Sequence, residues 1–96
     1  SAKEIEDVLV RSSEISEAAV VSMPSTRTGE AICAFIVPEG QASIDKQGVA
    51  ELIATAGLAK QKTPEHVEIV SELPKTPAGK VRKDVLRIRA AEFAQG

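Results

Sequence analysis

Glu30-Ala31-Ile32-Cys33-Ala34-Phe35-Ile36-Val37-Pro38 carries one charge at its head, a proline at its end and only apolar side chains between. In a strand successive side chains point to opposite faces, so a run without alternation leaves no face for water and must be covered on both sides. Residues 30–38 therefore predict a strand whose two faces are both largely covered. Upstream, Glu17-Ala18-Ala19-Val20-Val21-Ser22-Met23-Pro24 is a second short apolar run closed by proline, and it predicts a strand over 17–24. Ser25-Thr26-Arg27-Thr28-Gly29 between them is rich in turn formers and of hairpin length.

Outward from this pair the period changes. Ile5, Val8 and Leu9 fall at i, i+3 and i+4 with charged residues on the other face, predicting a helix over 3–12. Ser43 is the expected N-cap of a helix over 44–57, carrying Val49, Leu52, Ile53 and Ala56 on one face and closed by Gly57. A basic loop, Lys60-Gln61-Lys62-Thr63-Pro64, precedes a third strand expected over 66–71. Val85, Leu86, Ala90 and Phe93 mark a last helix over 82–94. The order α-β-β-α-β-α predicts an α+β domain, a small three-stranded sheet covered by helices. The sequence does not set the strand order. A parallel pairing of the second and third strands would call for a right-handed crossover.

Composition narrows the function classes. Ninety-six residues suit one domain. No apolar run approaches the ~20 residues of a membrane span, and no signal-peptide pattern opens the chain. Ser1 at the start suggests a segment cut from a longer chain. The single cysteine, Cys33, lies in the most apolar stretch, which fits a reducing compartment and a buried small hydrophobe. No zinc-ligand spacing is present, so no metal site is expected. Phe35 and Phe93 are the only aromatics, too few for a base-stacking platform, and no nucleic-acid partner is expected. Residues 1–59 hold four basic and nine acidic side chains, whereas residues 60–89 hold eight basic and four acidic. That segregation reads as a local surface for an anionic partner.

Within the basic segment lies Leu73-Pro74-Lys75-Thr76-Pro77-Ala78-Gly79-Lys80. Proline fixes φ and glycine permits φ > 0, so this loop has a specified shape. A shaped loop ending in an ammonium group suits charge developing on a reacting carboxylate and phosphate.

Taken in order, Ile5-Glu6-x-x-Leu9, Glu17-Ala18-Ala19-Val20-Val21, Pro24, Gly29-Glu30, Ala34-Phe35-Ile36-Val37, Lys62-Thr63-Pro64 and Leu73-Pro74-Lys75-Thr76-x-x-Gly79-Lys80 with Leu86-Arg87 resemble the C-terminal domain of the adenylate-forming superfamily. That superfamily comprises acyl-CoA synthetases, nonribosomal peptide synthetase adenylation domains and firefly-type luciferases. The likeness covers about residues 3–87. Four departures stand out: Ser12-Ser13 in place of a common His-Pro pair, Ser25 in place of a frequent Asp, Gln61 where an aromatic often stands, and Lys83 at a usual Arg position.

The resemblance implies that residues 1–96 form the mobile C-terminal lid domain and that the N-terminal ATP- and acyl-binding domain lies outside this chain. It implies that Lys80 is the adenylation lysine, with Pro74, Lys75, Thr76, Pro77 and Gly79 as loop support. Lys75 and Thr76 either orient the loop or stand solvated. Lys60, Lys62, Arg82, Lys83 and Arg87, together with Gly29 and Glu30, become candidates for a CoA-phosphate or domain-docking surface. His66 is expected to be structural. ATP, Mg2+ and coenzyme A are implied for the full-length enzyme, and a carboxylic-acid substrate with it, whereas the fragment alone should be inactive. A cytoplasmic location and a lysine acetyltransferase acting on Lys80 are implied as well. Lys75 and Arg82 stand where peptide synthetases more often carry an apolar residue and an Asp, which favours an acyl-CoA synthetase of the medium- or long-chain fatty-acid group. The alternatives are a peptide-synthetase adenylation fragment and a non-enzymatic α/β module that binds an anionic partner.

Overall fold

The computed structural model describes residues 2–25 and 29–95. The elements are α1 (Ala2–Val10), β1 (Ile15–Ser25), β2 (Gly29–Pro38), α2 (Lys46–Thr55), a 3₁₀ turn (Lys60–Lys62), β3 (His66–Ile69) and α3 (Lys83–Gln95), in the expected order α-β-β-α-β-α. The sheet order is β1-β2-β3. β1 and β2 are antiparallel, with Val20 opposite Ala34 and Ser25 opposite Gly29. β2 and β3 are parallel, with Cys33 beside His66 and Ile36 beside Ile69. Residues 26–28 of the expected turn lie outside the described residues.

β2 is the central strand, and both its faces are covered as its unbroken apolar run requires. On one face Cys33, Phe35 and Val37 pack with Ala19 and Val21 of β1, with Leu73, and with Leu86 and Ala90 of α3. On the other, Ala34 and Ile36 pack with Val20, with Ile5, Val8 and Leu9 of α1, and with Val49 and Ile53 of α2. Cys33 is fully buried; burial, with the charge of Glu68 adding to it, pushes its thiol up to about 11. The structure is therefore three layers, with α1 and α2 above the sheet and α3 below it. No helix among the described residues is long and apolar enough to cross a membrane.

Boundaries differ from the sequence expectation for local reasons. α2 begins two residues later than expected because Asp45, not Ser43, is its N-cap: Asp45 Oδ1 accepts the Gly48 N–H at 2.8 Å. A carboxylate there also meets the positive end of the helix dipole, which a hydroxyl does not match. Gly57, at φ +79, follows the end of α2 as expected. The basic loop at 60–62 closes into a 3₁₀ turn, and β3 stops at Ile69 rather than residue 71. β1 is longer than the apolar run and passes through Pro24. Among the described residues β1 has a partner on one side only. Its Val20 N–H is taken by Glu6 Oε2 of α1 at 2.8 Å, so the even-numbered amides face the free edge. Pro24 falls on that edge, where its missing N–H breaks no ladder bond.

Candidate functional site

The loop expected to be shaped is a hairpin. Arg82 N–H donates to Pro74 O, Thr76 N–H to Lys80 O and Gly79 N–H to Thr76 O, each at 2.8 Å, and Lys75 pairs with Val81 across the ladder. This is the hydrogen-bond pattern of a three-residue hairpin loop: a turn with Pro77 at its first central position, then a left-handed glycine that makes a bulge. Gly79 has φ +88 and supplies that conformation. Thr76 Oγ1 accepts the Lys80 N–H at 3.1 Å, a bond that spans the turn. Leu73 is buried below the hairpin and Val81 packs on the same core, which fixes its base. A Cβ at residue 79 would meet no atom within 4 Å, so the cost of Gly79→Ala is conformational. It is expected to lower stability by about 1–2 kcal/mol, read as a shift in the chemical-denaturation midpoint.

Lys80 is exposed and makes no ion pair with any described residue. It lines an open groove of ≈ 530 Å³ together with Glu6, Lys83 and Arg87. Lys83 and Arg87 are i, i+4 on α3 and also line an adjoining groove with Lys62 and Glu30. The fold thus gathers Lys80, Lys83 and Arg87, with Lys62 and Glu30 next to them. It leaves the other candidates apart. Lys60 faces a separate groove beside α2, Gly29 sits exposed at the start of β2 with φ +84, and Arg82 turns to Asp84 at 2.7 Å. The Arg82 guanidinium holds the Asp84 carboxyl below its usual range, mainly through that hydrogen bond. His66 stacks on Phe93 with ring centroids 4.2 Å apart, and its Nε2 lies 3.0 Å from Glu68 Oε1. The stacking ties β3 to α3, whereas the Glu68 contact stays within β3.

Three carboxylates shape this surface, and sequence reasoning passed over them. Glu4 pairs with Lys62, whose ammonium holds that carboxyl below its usual range. Glu6 pairs with Lys83 at 2.7 Å, and Glu17 with Lys75 at 2.7 Å. The acidic first half of the chain therefore neutralises three lysines of the basic segment. The continuous basic surface suggested by the charge count contracts to the part around Lys80 and Arg87. The segregation of charge along the chain was itself the available signal, since opposite charges far apart in sequence pair readily once folded. Among the described residues no group of three or more His, Cys, Asp or Glu side chains could hold a metal ion.

The chain matches the family model of the AMP-binding enzyme C-terminal domain over residues 4–80. It is 36% identical over 88 residues to a medium-chain fatty-acid–CoA ligase of Escherichia coli (strain K12), covering 91% of this chain and 16% of that ligase. It is 40% identical over 95 residues to triostin synthetase I of Streptomyces triostinicus, covering 99% of this chain and 18% of that synthetase. Among solved structures, apo MatB from Rhodopseudomonas palustris superposes with a TM-score of 0.89 at 34% identity, covering 97% of this chain and 18% of that one. The chain spans less than a fifth of the length of these relatives. With its layered fold and its Pro/Gly hairpin matched along most of its length, the chain belongs to the family of AMP-binding enzyme C-terminal domains.

Proposed function

We propose that this domain serves an acyl-CoA synthetase and that Lys80 is its adenylating cation. The reaction is attack of a substrate carboxylate on the α-phosphorus of ATP, forming the acyl-adenylate and releasing pyrophosphate. Two anions must approach each other, and an ammonium that reaches both offsets their repulsion and favours the in-line arrangement. The observation that carries this reading is the pairing pattern. Lys62, Lys75 and Lys83 each have a glutamate, while Lys80 is held out on a hydrogen-bonded hairpin with no acidic partner among the described residues. Arg87, in the same groove, is available to a phosphate of CoA or to the partner domain. What this chain brings to the chemistry is its cations, Lys80 first and Arg87 beside it.

Lys75 and Arg82 favour a CoA ligase over a peptide synthetase. Each has a local carboxylate partner, Glu17 and Asp84, and an Asp at position 82 would face Asp84 with like charge. The test uses the intact enzyme that contains this domain. With ATP and a panel of carboxylic acids, the expected result is acid-dependent exchange of pyrophosphate into ATP, followed by consumption of free CoA thiol. Transfer only to the phosphopantetheine arm of a carrier protein would replace this reading with the peptide-synthetase one. Absence of any exchange across the panel would favour a non-enzymatic anion-binding module.

A further inference from the structure

We propose that Glu17 is a positioning residue for Lys80, acting through Lys75; this rests on the reading of Lys80 as the adenylating cation. The hairpin from Pro74 to Arg82 is stiff within itself, since its two limbs are joined by backbone bonds from Arg82 to Pro74 and from Thr76 to Lys80. Its apolar anchors, Leu73 and Val81, are both at the base. A stiff ribbon fixed only at its base can still rock, and rocking would swing Lys80. One side-chain ion pair opposes this from the sheet: Lys75 Nζ lies 2.7 Å from Glu17 Oε1. Lys75 stands across the ladder from Val81, the neighbour of Lys80. Holding Lys75 therefore holds the segment that carries Lys80.

Glu17 is built into a fixed place. It follows the register shift between Ile15 and Glu17 in β1. Its odd number puts it on the face that bears Ala19 and Val21, the face on which the hairpin and α3 rest. Lys83, which lines the same groove as Lys80, is held to Glu6 of α1 at 2.7 Å. Lys75 and Lys83 thus flank Lys80 in the sequence, each tied by a glutamate from a different element. The side chains of Lys75 and Glu17 are 39% and 37% exposed, so their pair contributes little to stability. A reaction between two anions is far more sensitive, because a displacement of about 1 Å can cost up to ~10²-fold in rate. Aiming, not folding, is what this pair can supply.

The experiment compares Glu17→Gln, Lys75→Gln, the double variant and Lys80→Ala in the intact enzyme. Rates of the two half-reactions, KM values and thermal unfolding midpoints are measured for each. Glu17→Gln is expected to lower kcat of adenylation by roughly 10-fold, with KM for ATP and acid, thioester formation from supplied acyl-adenylate, and the unfolding midpoint all unchanged. The double variant should lose no more than either single one, because the two residues act as a unit. Wild-type adenylation in Glu17→Gln beside a crippled Lys80→Ala overturns this inference and leaves the role of Lys80 standing. Losses that multiply in the double variant overturn it too, as do equal losses in both half-reactions or a lowered unfolding midpoint. Undiminished adenylation in Lys80→Ala overturns the reading of Lys80 itself.

Discussion

Lys80→Ala in the intact enzyme is expected to slow acyl-adenylate formation by roughly 10²–10³-fold, the usual cost of removing one preorganised contact to developing charge. The loss should fall on the adenylating step alone. Thioester formation from supplied acyl-adenylate involves no repulsion between a carboxylate and ATP, so an ammonium placed to offset it has nothing to do there. Stability should hardly change, because Lys80 is exposed and pairs with no described residue. Acetylation of Lys80 by a lysine acetyltransferase should act in the same direction, since it removes the charge and leaves the hairpin bonds in place. Pyrophosphate exchange and single-turnover thioesterification, measured side by side before and after deacetylation, check both statements. Equal loss in the two half-reactions would assign Lys80 a shared or structural role instead.

Phe35→Ala should have the largest effect on the fold. Phe35 is 0% exposed at the middle of the central strand, and its ring centroid lies 6.1 Å from that of Phe93 on α3. Truncation removes the ring contact with Phe93 and leaves a cavity that the layers close only in part, at a cost of about 3–5 kcal/mol. Against the 5–15 kcal/mol typical of a native protein, that is a large share, so the denaturation midpoint should fall steeply. Phe35→Leu, which keeps most of the volume, should cost markedly less. The chain has no Trp or Tyr, so the transition is followed by far-ultraviolet circular dichroism rather than intrinsic fluorescence. A midpoint for Phe35→Ala within experimental error of the wild type would show that the α3 layer does not depend on this contact.

The order and type of the elements were legible because each rests on local patterns: the 3.6-residue spacing of Ile5, Val8 and Leu9, and the unbroken run of β2. That the loop has a specified shape was legible because Pro77 fixes φ and Gly79 permits a positive φ whatever surrounds them; that the shape is a hairpin was not. Features decided by distant parts of the chain were not. Pro24 read as the end of a strand because its place on a free edge depends on which strands pair. The strand order itself follows from packing α1, α2 and α3 on particular faces, and no local pattern encodes that. The basic segment read as an open anionic-partner surface because Glu4, Glu6 and Glu17 lie far upstream of the lysines they meet. Ser43 and Asp45 are both good caps, and only the reach of a side chain to Gly48 N–H decides between them.

The outer side of β1 bears on how copies of this chain behave toward one another. Eleven residues of extended backbone with one partner are a template on which a second molecule's strand could add. Two features blunt it. The Glu6 carboxylate occupies the Val20 amide, and an incoming strand would have to displace it and lose the Lys83 contact as well. Further along, Pro24 offers no donor. Together the occupied amide and the missing donor make edge-to-edge addition of a second copy costly along this strand, which keeps an exposed edge from seeding aggregates.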